Sequence, residues 1–167
     1  MRSFTLILVF ASFILTSCAK EEKTVEVIEK KEIDLQMIDA YEEGMKALDE
    51  QDSLVAAKKF SEAELLFPQS VWAPRAALMA AYSYYSYEYF SDCIYELERF
   101  LKTYPNHPRT DYAYYLLAIS YYDQVVDESK DLESILKSKE YFIFLINNYP
   151  NTDYAIDSNF KLELINE

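Results

Sequence analysis

Tyr104-Pro105-Asn106-His107-Pro108-Arg109-Thr110-Asp111-Tyr112-Ala113 and Tyr149-Pro150-Asn151-Thr152-Asp153-Tyr154-Ala155 are two versions of one phrase, and their reading decides the fold. Each follows a long run in which apolar residues recur at intervals of three and four, the spacing of one helix face. Proline lacks the N–H that a helix interior needs and disfavours helical geometry in the residue before it, so Tyr104 and Tyr149 close their helices. Threonine is a good N-cap and the aspartate after it suits the positive end of the helix dipole, so Thr110 and Thr152 open the next helices. A shorter version, Phe67-Pro68-Gln69, closes an earlier run. The chain therefore reads as all-α. One glycine in 167 residues points the same way, because tight β-hairpin turns draw on glycine-rich chemistry.

Pro68 to Pro105 is 37 residues and Pro105 to Pro150 is 45, against roughly 34 for a tetratricopeptide (TPR) helix–turn–helix unit. Counting back from each proline fills the small and large apolar slots of that pattern. The first unit supplies Gly44, Ala56, Phe60, Ala63 and Pro68; the second supplies Ala81, Tyr84, Cys93, Leu97 and Pro105. The third supplies Ala118, Tyr121, Ser138, Phe142 and Pro150, with extra residues in the loop Asp127-Glu128-Ser129-Lys130-Asp131. Small residues are needed where two helices cross closely, which makes Cys93 a core residue. The expected architecture is a TPR-type solenoid over residues 36–167, with repeats at 37–70, 71–107 and 110–151. A further helix starts at 152, and its face Tyr154, Ile156, Phe160 and Leu164 has no partner helix. Solenoids normally end in a polar cap, so a chain stopping at Asn166-Glu167 reads as a truncated or minimal version.

The N-terminus sets the compartment. Met1 and Arg2 precede an apolar run from Phe4 to Leu15, too short to cross a hydrocarbon core of about 30 Å comfortably. It ends in Leu15-Thr16-Ser17-Cys18, which resembles the bacterial lipobox. Residues 1–17 are thus expected to be a lipoprotein signal peptide, with Cys18 lipidated as the new N-terminus. Two or three acyl chains hold a protein firmly without any spanning helix. Ala19, rather than an inner-membrane retention aspartate, points to the periplasmic face of the outer membrane. Residues 18–35 carry mixed charges and read as a tether.

The net charge of −13 excludes nucleic acid and anionic lipid surfaces as partners, since both call for a basic patch. Once Cys18 is lipidated, Cys93 is the single remaining thiol and no intramolecular disulfide is available. No catalytic set is found. The only histidine, His107, sits in an inter-repeat turn and reads as a solvated loop residue. One histidine and one thiol build neither a triad nor a zinc site, and no glycine loop cradles a phosphate. Glu62-Ala63-Glu64 and Glu96-Leu97-Glu98 read as solvated helix faces. We expect no metal and no cofactor.

Tyrosine is the unusual residue, with 16 copies crowded at Tyr82–Tyr89, Tyr112–Tyr115 and Tyr121-Tyr122. Tyr84 and Tyr121 fall in slots that TPRs bury. Tyr82, Tyr84, Tyr85 and Tyr87 point around most of a helix circumference, so some face outward. The first helix of each TPR hairpin lines the concave groove. The register puts Tyr41, Met45, Arg75, Tyr82, Tyr85, Tyr112, Tyr115 and Tyr122 there, a surface suited to peptide capture. Arg75, at the start of its helix, is placed to pair with a peptide's terminal carboxylate.

The lipobox, the charged tether and the hairpins that follow resemble the BamD family, lipoprotein subunits of the outer-membrane β-barrel assembly machinery. The resemblance is carried by Phe67-Pro68-Gln69-Ser70, Ala81-Tyr82-Ser83-Tyr84-Tyr85, Glu98-Arg99-Phe100-Leu101, Asn106 to Tyr112 and Tyr149 to Thr152, and runs from about Ile38 to the end. It implies an outer-membrane protein assembly factor that binds unfolded barrel proteins through its N-terminal repeats. It also implies as partners the barrel subunit BamA and other assembly lipoproteins. Family members have about five repeats, and the later ones dock on BamA; this chain lacks them. The rival readings are a periplasmic TPR lipoprotein scaffolding envelope or peptidoglycan enzymes, and a lytic transglycosylase on an α-solenoid, for which no catalytic domain is visible.

The lipobox reading makes a direct prediction. Cys18→Ala protein should leave the membrane fraction, in processed or unprocessed form. Firm retention in the outer membrane on fractionation would overturn the anchor.

Overall fold

A computed structural model describes residues 22–127 and 132–166. Among them run seven helices and no strand: α1 (Glu22–Asp49), α2 (Ser53–Leu66), α3 (Ala73–Tyr85), α4 (Phe90–Thr103), α5 (Thr110–Asp127), α6 (Leu132–Asn148) and α7 (Asp153–Asn166). The signal segment, Cys18 and loop residues 128–131 lie outside the described residues. The chain divides into two units, through Leu35 and from Gln36. In the first, the segment read as a tether is helical from Glu22. Its glutamates and lysines are strong helix formers, and their charge masked that propensity. Everything below concerns Gln36–Glu167, where helix pairs follow one another as TPR-type hairpins: α1 with α2, α3 with α4, α5 with α6.

The local chemistry of the turns explains the boundaries. Asp52 caps α2, its Oδ1 accepting from the Val55 N–H at 3.2 Å. Ser70 Oγ accepts from the Ala73 N–H at 3.1 Å, and Pro74 sits in the first turn of α3. Thr152 caps α7 by accepting from the Ala155 N–H at 3.3 Å. Thr110 behaves differently from its twin. It lies inside α5, and its hydroxyl is 3.2 Å from the Tyr149 hydroxyl of the next inter-repeat turn, tying successive turns together. The turns inside the first two hairpins use left-handed backbone at Gln51 (φ 62) and Glu88 (φ 64) without glycine.

The repeat register is visible in the packing. Ala56, Phe60, Ala63, Ala81, Cys93, Leu97, Ala118, Ser138 and Phe142 are all fully buried. One cluster joins α3, α4 and α5 around Leu97, Phe100 and Leu117; another joins α5, α6 and α7 around Phe142 and Leu145. Burial pushes the Cys93 thiol up to about 12, and its Sγ lies 3.3 Å from Ser120 Oγ, so it is a packing residue. Ser83, Ser120 and Ser158 recur at repeat spacing on α3, α5 and α7. Each donates to the carbonyl four residues back, which lets a hydroxyl sit in a dry interface.

Two expectations change. Glu64 is buried, not solvated: Arg99 grips it through two bonds of 2.8 and 2.5 Å, and the Tyr104 hydroxyl donates to Oε1 at 2.8 Å. Arg99 also holds Glu96 on its own helix at 2.8 Å. Burial and the bond to Glu64 push the Tyr104 phenol up to about 12. On α7, Ile156, Phe160 and Leu164 are exposed as expected, but Tyr154 turns inward against Tyr115.

Gly44 shows what the register demands. A Cβ there would lie 2.9 Å from the ring of Phe60, itself fully buried. Helix propensity alone favours alanine by about 1 kcal/mol. We predict that Gly44→Ala nonetheless destabilises the fold by about 1–3 kcal/mol, as overpacking does. Urea denaturation gives the sign, and a stabilised variant would show the α1–α2 crossing to be looser than described.

Candidate functional site

Helices α1, α3 and α5 are the first members of their hairpins; α3 lies against α5, and α5 against α7. A cavity of about 450 Å³ opens between them, lined by Tyr41, Arg75, Leu78, Met79, Tyr82, His107, Pro108, Arg109, Tyr112 and Tyr154. Four of the expected groove residues meet here: Tyr41, Arg75, Tyr82 and Tyr112. Tyr41 is wedged edge-on against Phe60 at 5.1 Å and Trp72 at 5.8 Å between ring centres. Arg75 stands 5.0 Å over the face of Trp72, a cation–π arrangement that positions the guanidinium. Tyr112 and Tyr154 pack with ring centres 5.7 Å apart. Burial pushes the Tyr41 and Tyr112 phenols above their ordinary value. Both therefore stay protonated and can donate hydrogen bonds.

His107 is not the solvated loop residue the sequence suggested. Its ring is half-buried, packs edge-on against Phe100 at 5.6 Å, and accepts at Nδ1 from the Arg109 N–H at 3.2 Å. Burial first, then the charges of Arg75 and Arg109, hold it below its usual pKa, so it is neutral at neutral pH. The rigid Asn-His-Pro turn thus delivers a polar ring and, beside it, Arg109 to the cavity wall.

Met45 is exposed and lines a second cavity, with Leu48, Asp49, Gln51, Ser53, Met79, Tyr82, Ser86 and Tyr87. The other three expected residues line neither cavity. Tyr85 is half-buried against the core, and its hydroxyl donates to Asp123 Oδ2 at 2.8 Å. Tyr115 donates to Asp157 Oδ2 at 2.8 Å and stacks on Tyr154 at 5.0 Å. Tyr122 sits under Lys161, whose Nζ is 4.9 Å from the ring centre, and edge-on to Phe142 at 6.5 Å. Tyr85 and Tyr115 make the same kind of connection: a tyrosine of one groove-lining helix bonds an aspartate of the next. Both phenols are raised, by burial first and by the bonded carboxylate second.

The sequence reading did not place Leu78, Met79, His107, Pro108, Arg109 or Tyr154 in the groove; it took His107 for a solvated loop residue and Tyr154 for part of an unpartnered face. Tyr154 was readable, because it holds the place in Thr152-Asp153-Tyr154 that Tyr112 holds in Thr110-Asp111-Tyr112. No local signal distinguished Arg109 from any surface arginine.

The profile of the YfiO family, described as "Outer membrane lipoprotein", matches residues 33–167. The chain belongs to this family. Its relatives include proteins named outer membrane protein assembly factor BamD. That of Caulobacter vibrioides is 31% identical over 164 residues, covering 98% of this chain and 52% of the relative. That of Rickettsia prowazekii is 35% identical over 127 residues, covering 76% and 51%. One from Neisseria meningitidis is 26% identical over 167 residues, covering 94% and 62%. The chain spans about half the length of the first two, so family membership rests on the N-terminal repeats and the turns between them.

The tyrosine–aspartate connections predict a separation of roles within the groove face. Tyr85→Phe or Tyr115→Phe should each lower stability by about 1–2 kcal/mol, since a carboxylate loses its donor. Tyr82→Phe should change stability by under about 0.5 kcal/mol, as an exposed substitution. Chemical denaturation of the three variants side by side checks the contrast.

Proposed function

We propose that this chain is an outer-membrane protein assembly factor: a lipid-anchored TPR scaffold that binds unfolded β-barrel proteins and helps deliver them to, or insert them through, the barrel assembly machinery. The observation that carries the reading is the cavity in which Tyr41, Tyr82, Tyr112 and Tyr154 surround Arg75 and Arg109 on the groove-lining helices of a chain in this family. Aromatic rings with hydroxyl tips offer contact area at low entropic cost, and the guanidiniums attract a carboxylate. Barrel proteins commonly end in an aromatic residue with alternating apolar ones before it, a tail this surface suits. The relatives' printed name, outer membrane protein assembly factor, supports the same role.

The reading extends to partners and place. Cys18 would carry the lipid at the periplasmic face of the outer membrane, and the protein would act with BamA and the other assembly lipoproteins. It acts by binding, not catalysis. Among the described residues no helix is long and apolar enough to cross a membrane, and no group of His, Cys, Asp and Glu is placed to hold a metal ion.

Fluorescence anisotropy with a labelled C-terminal segment of an unfolded barrel protein tests the groove. Tyr82→Ala and Tyr112→Ala should each weaken binding by about 1–2 kcal/mol, the range of an interface anchor. Helix content should hold in the Tyr82 variant. Unchanged affinity in both would end the groove reading.

A further inference from the structure

The first inter-repeat turn differs from the other two in what it shows to solvent. Where α2 closes and α3 opens, Leu65, Val71 and Trp72 are exposed at 76%, 81% and 41%. Ile38, at 42%, lies one turn before Tyr41 on α1, and the Tyr41 and Trp72 rings are 5.8 Å apart. The second and third turns, residues 104–109 and 149–152, expose no large apolar side chain. Acidic charge is missing from the same place. Residues 65–87 contain no aspartate or glutamate, although the chain has 29, and their one cation is Arg75.

We propose that this end of the first repeat is a membrane-contact surface. Val71 and Trp72, flanked by Leu65 and Ile38, enter the headgroup boundary of a zwitterionic phospholipid leaflet, the one that holds the acyl chains of Cys18. The proposal rests on the lipid anchor read from residues 15–18 and adds which side of the scaffold faces the bilayer.

The side chains are of the right kind. Tryptophan favours the boundary between headgroups and acyl chains, where its ring sits in an apolar layer and its N–H stays wet. Exposed apolar groups gathered in one place mark a contact surface. The turn that carries them is fixed before contact. Ser70 Oγ accepts from the N–H groups of Trp72 at 3.2 Å and Ala73 at 3.1 Å, which lowers the cost of taking this backbone out of water. Arg75, 5.0 Å over the Trp72 ring, and Tyr41, edge-on to it, hold the indole in place.

Reach and charge select a lipid surface over a protein partner. Helix α1 begins at Glu22, four residues after Cys18. Its run from Glu22 to Gln36 covers about 21 Å at 1.5 Å per residue. The four residues before it add at most about 14 Å. The start of the first repeat is therefore kept within about 35 Å of the acyl chains, and Ile38 follows two residues later. A carboxylate at headgroup depth would lose hydration and meet lipid phosphate. The acid-free stretch is thus the part of a −13 chain that can sit there.

Trp72 is the only tryptophan, so its own fluorescence reports the contact. The lipidated full chain is reconstituted into phosphatidylcholine vesicles with or without bromine on the acyl chains near the headgroups. Trp72 emission should move to shorter wavelength and fall at least about twofold with the brominated lipid, as for a side chain about 5–10 Å deep. Val71→Asp, at an exposed position, should abolish both effects. That variant should keep its helix content and still float with the vesicles through Cys18. Leu136→Asp, a similar change at an exposed position on α6, should leave the quenching intact. Flotation with unquenched and unshifted Trp72 would overturn the membrane contact and leave the anchor standing. A shift to shorter wavelength without quenching would assign the patch to a protein, a second copy included, and overturn the membrane contact as well. Failure of the unaltered chain to float would overturn both.

Discussion

Everything in this solenoid depends on how closely its helices approach. A helix pair can bury its facing side chains only if small residues line the crossing, and here those places are taken by Gly44, Ala56, Ala63, Ala81, Cys93, Ala118 and Ser138. The Gly44–Phe60 contact is the tightest expression of this: the phenylalanine ring occupies the volume a methyl group would need. With the crossings set, large residues one turn away meet in the clusters around Phe60, Leu97 and Phe142. The first helices of successive hairpins then fall side by side, and a groove exists because they do.

A polar frame runs through the same packing. Glu64 on α2 is reached by Arg99 on α4 and Tyr104 at the end of that helix, which staples the first hairpin to the second. A buried carboxylate left without its partner is strongly destabilising, so this cluster constrains how the two hairpins sit more than it adds stability. Tyr85–Asp123 and Tyr115–Asp157 do the equivalent work on the groove side, linking α3 to α5 and α5 to α7. The groove floor is therefore tied laterally, and the tyrosine rings along it are already positioned. Preorganisation of that kind lowers the ordering cost of binding.

The tyrosines divide by the fate of their hydroxyls. Those bonded to a carboxylate on a neighbouring helix are structural, as Tyr85, Tyr104, Tyr115 and Tyr121 are. Those whose rings stand at the cavity walls, Tyr82 above all, present surface to solvent. Tyrosine is suited to both uses because its apolar ring packs while its polar tip finds either protein or ligand.

The sequence by itself determined the helical class, the hairpin register and the punctuation between repeats. These depend on local rules: proline ends a helix, aspartate and threonine start one, and small residues at fixed spacing mark a crossing. It also marked Tyr41, Arg75, Tyr82 and Tyr112 as groove-facing, because helix periodicity fixes direction within one helix. Tertiary structure decided what periodicity cannot reach. Whether Tyr85 opens to a groove or bonds to Asp123 depends on a residue 38 positions away. The burial of Glu64 depends on Arg99, 35 positions on. His107 and Arg109 become cavity walls only because a turn between repeats is brought against α3. Contacts that cross hairpins are set by the stacking of whole helices, and no short window of sequence contains both partners.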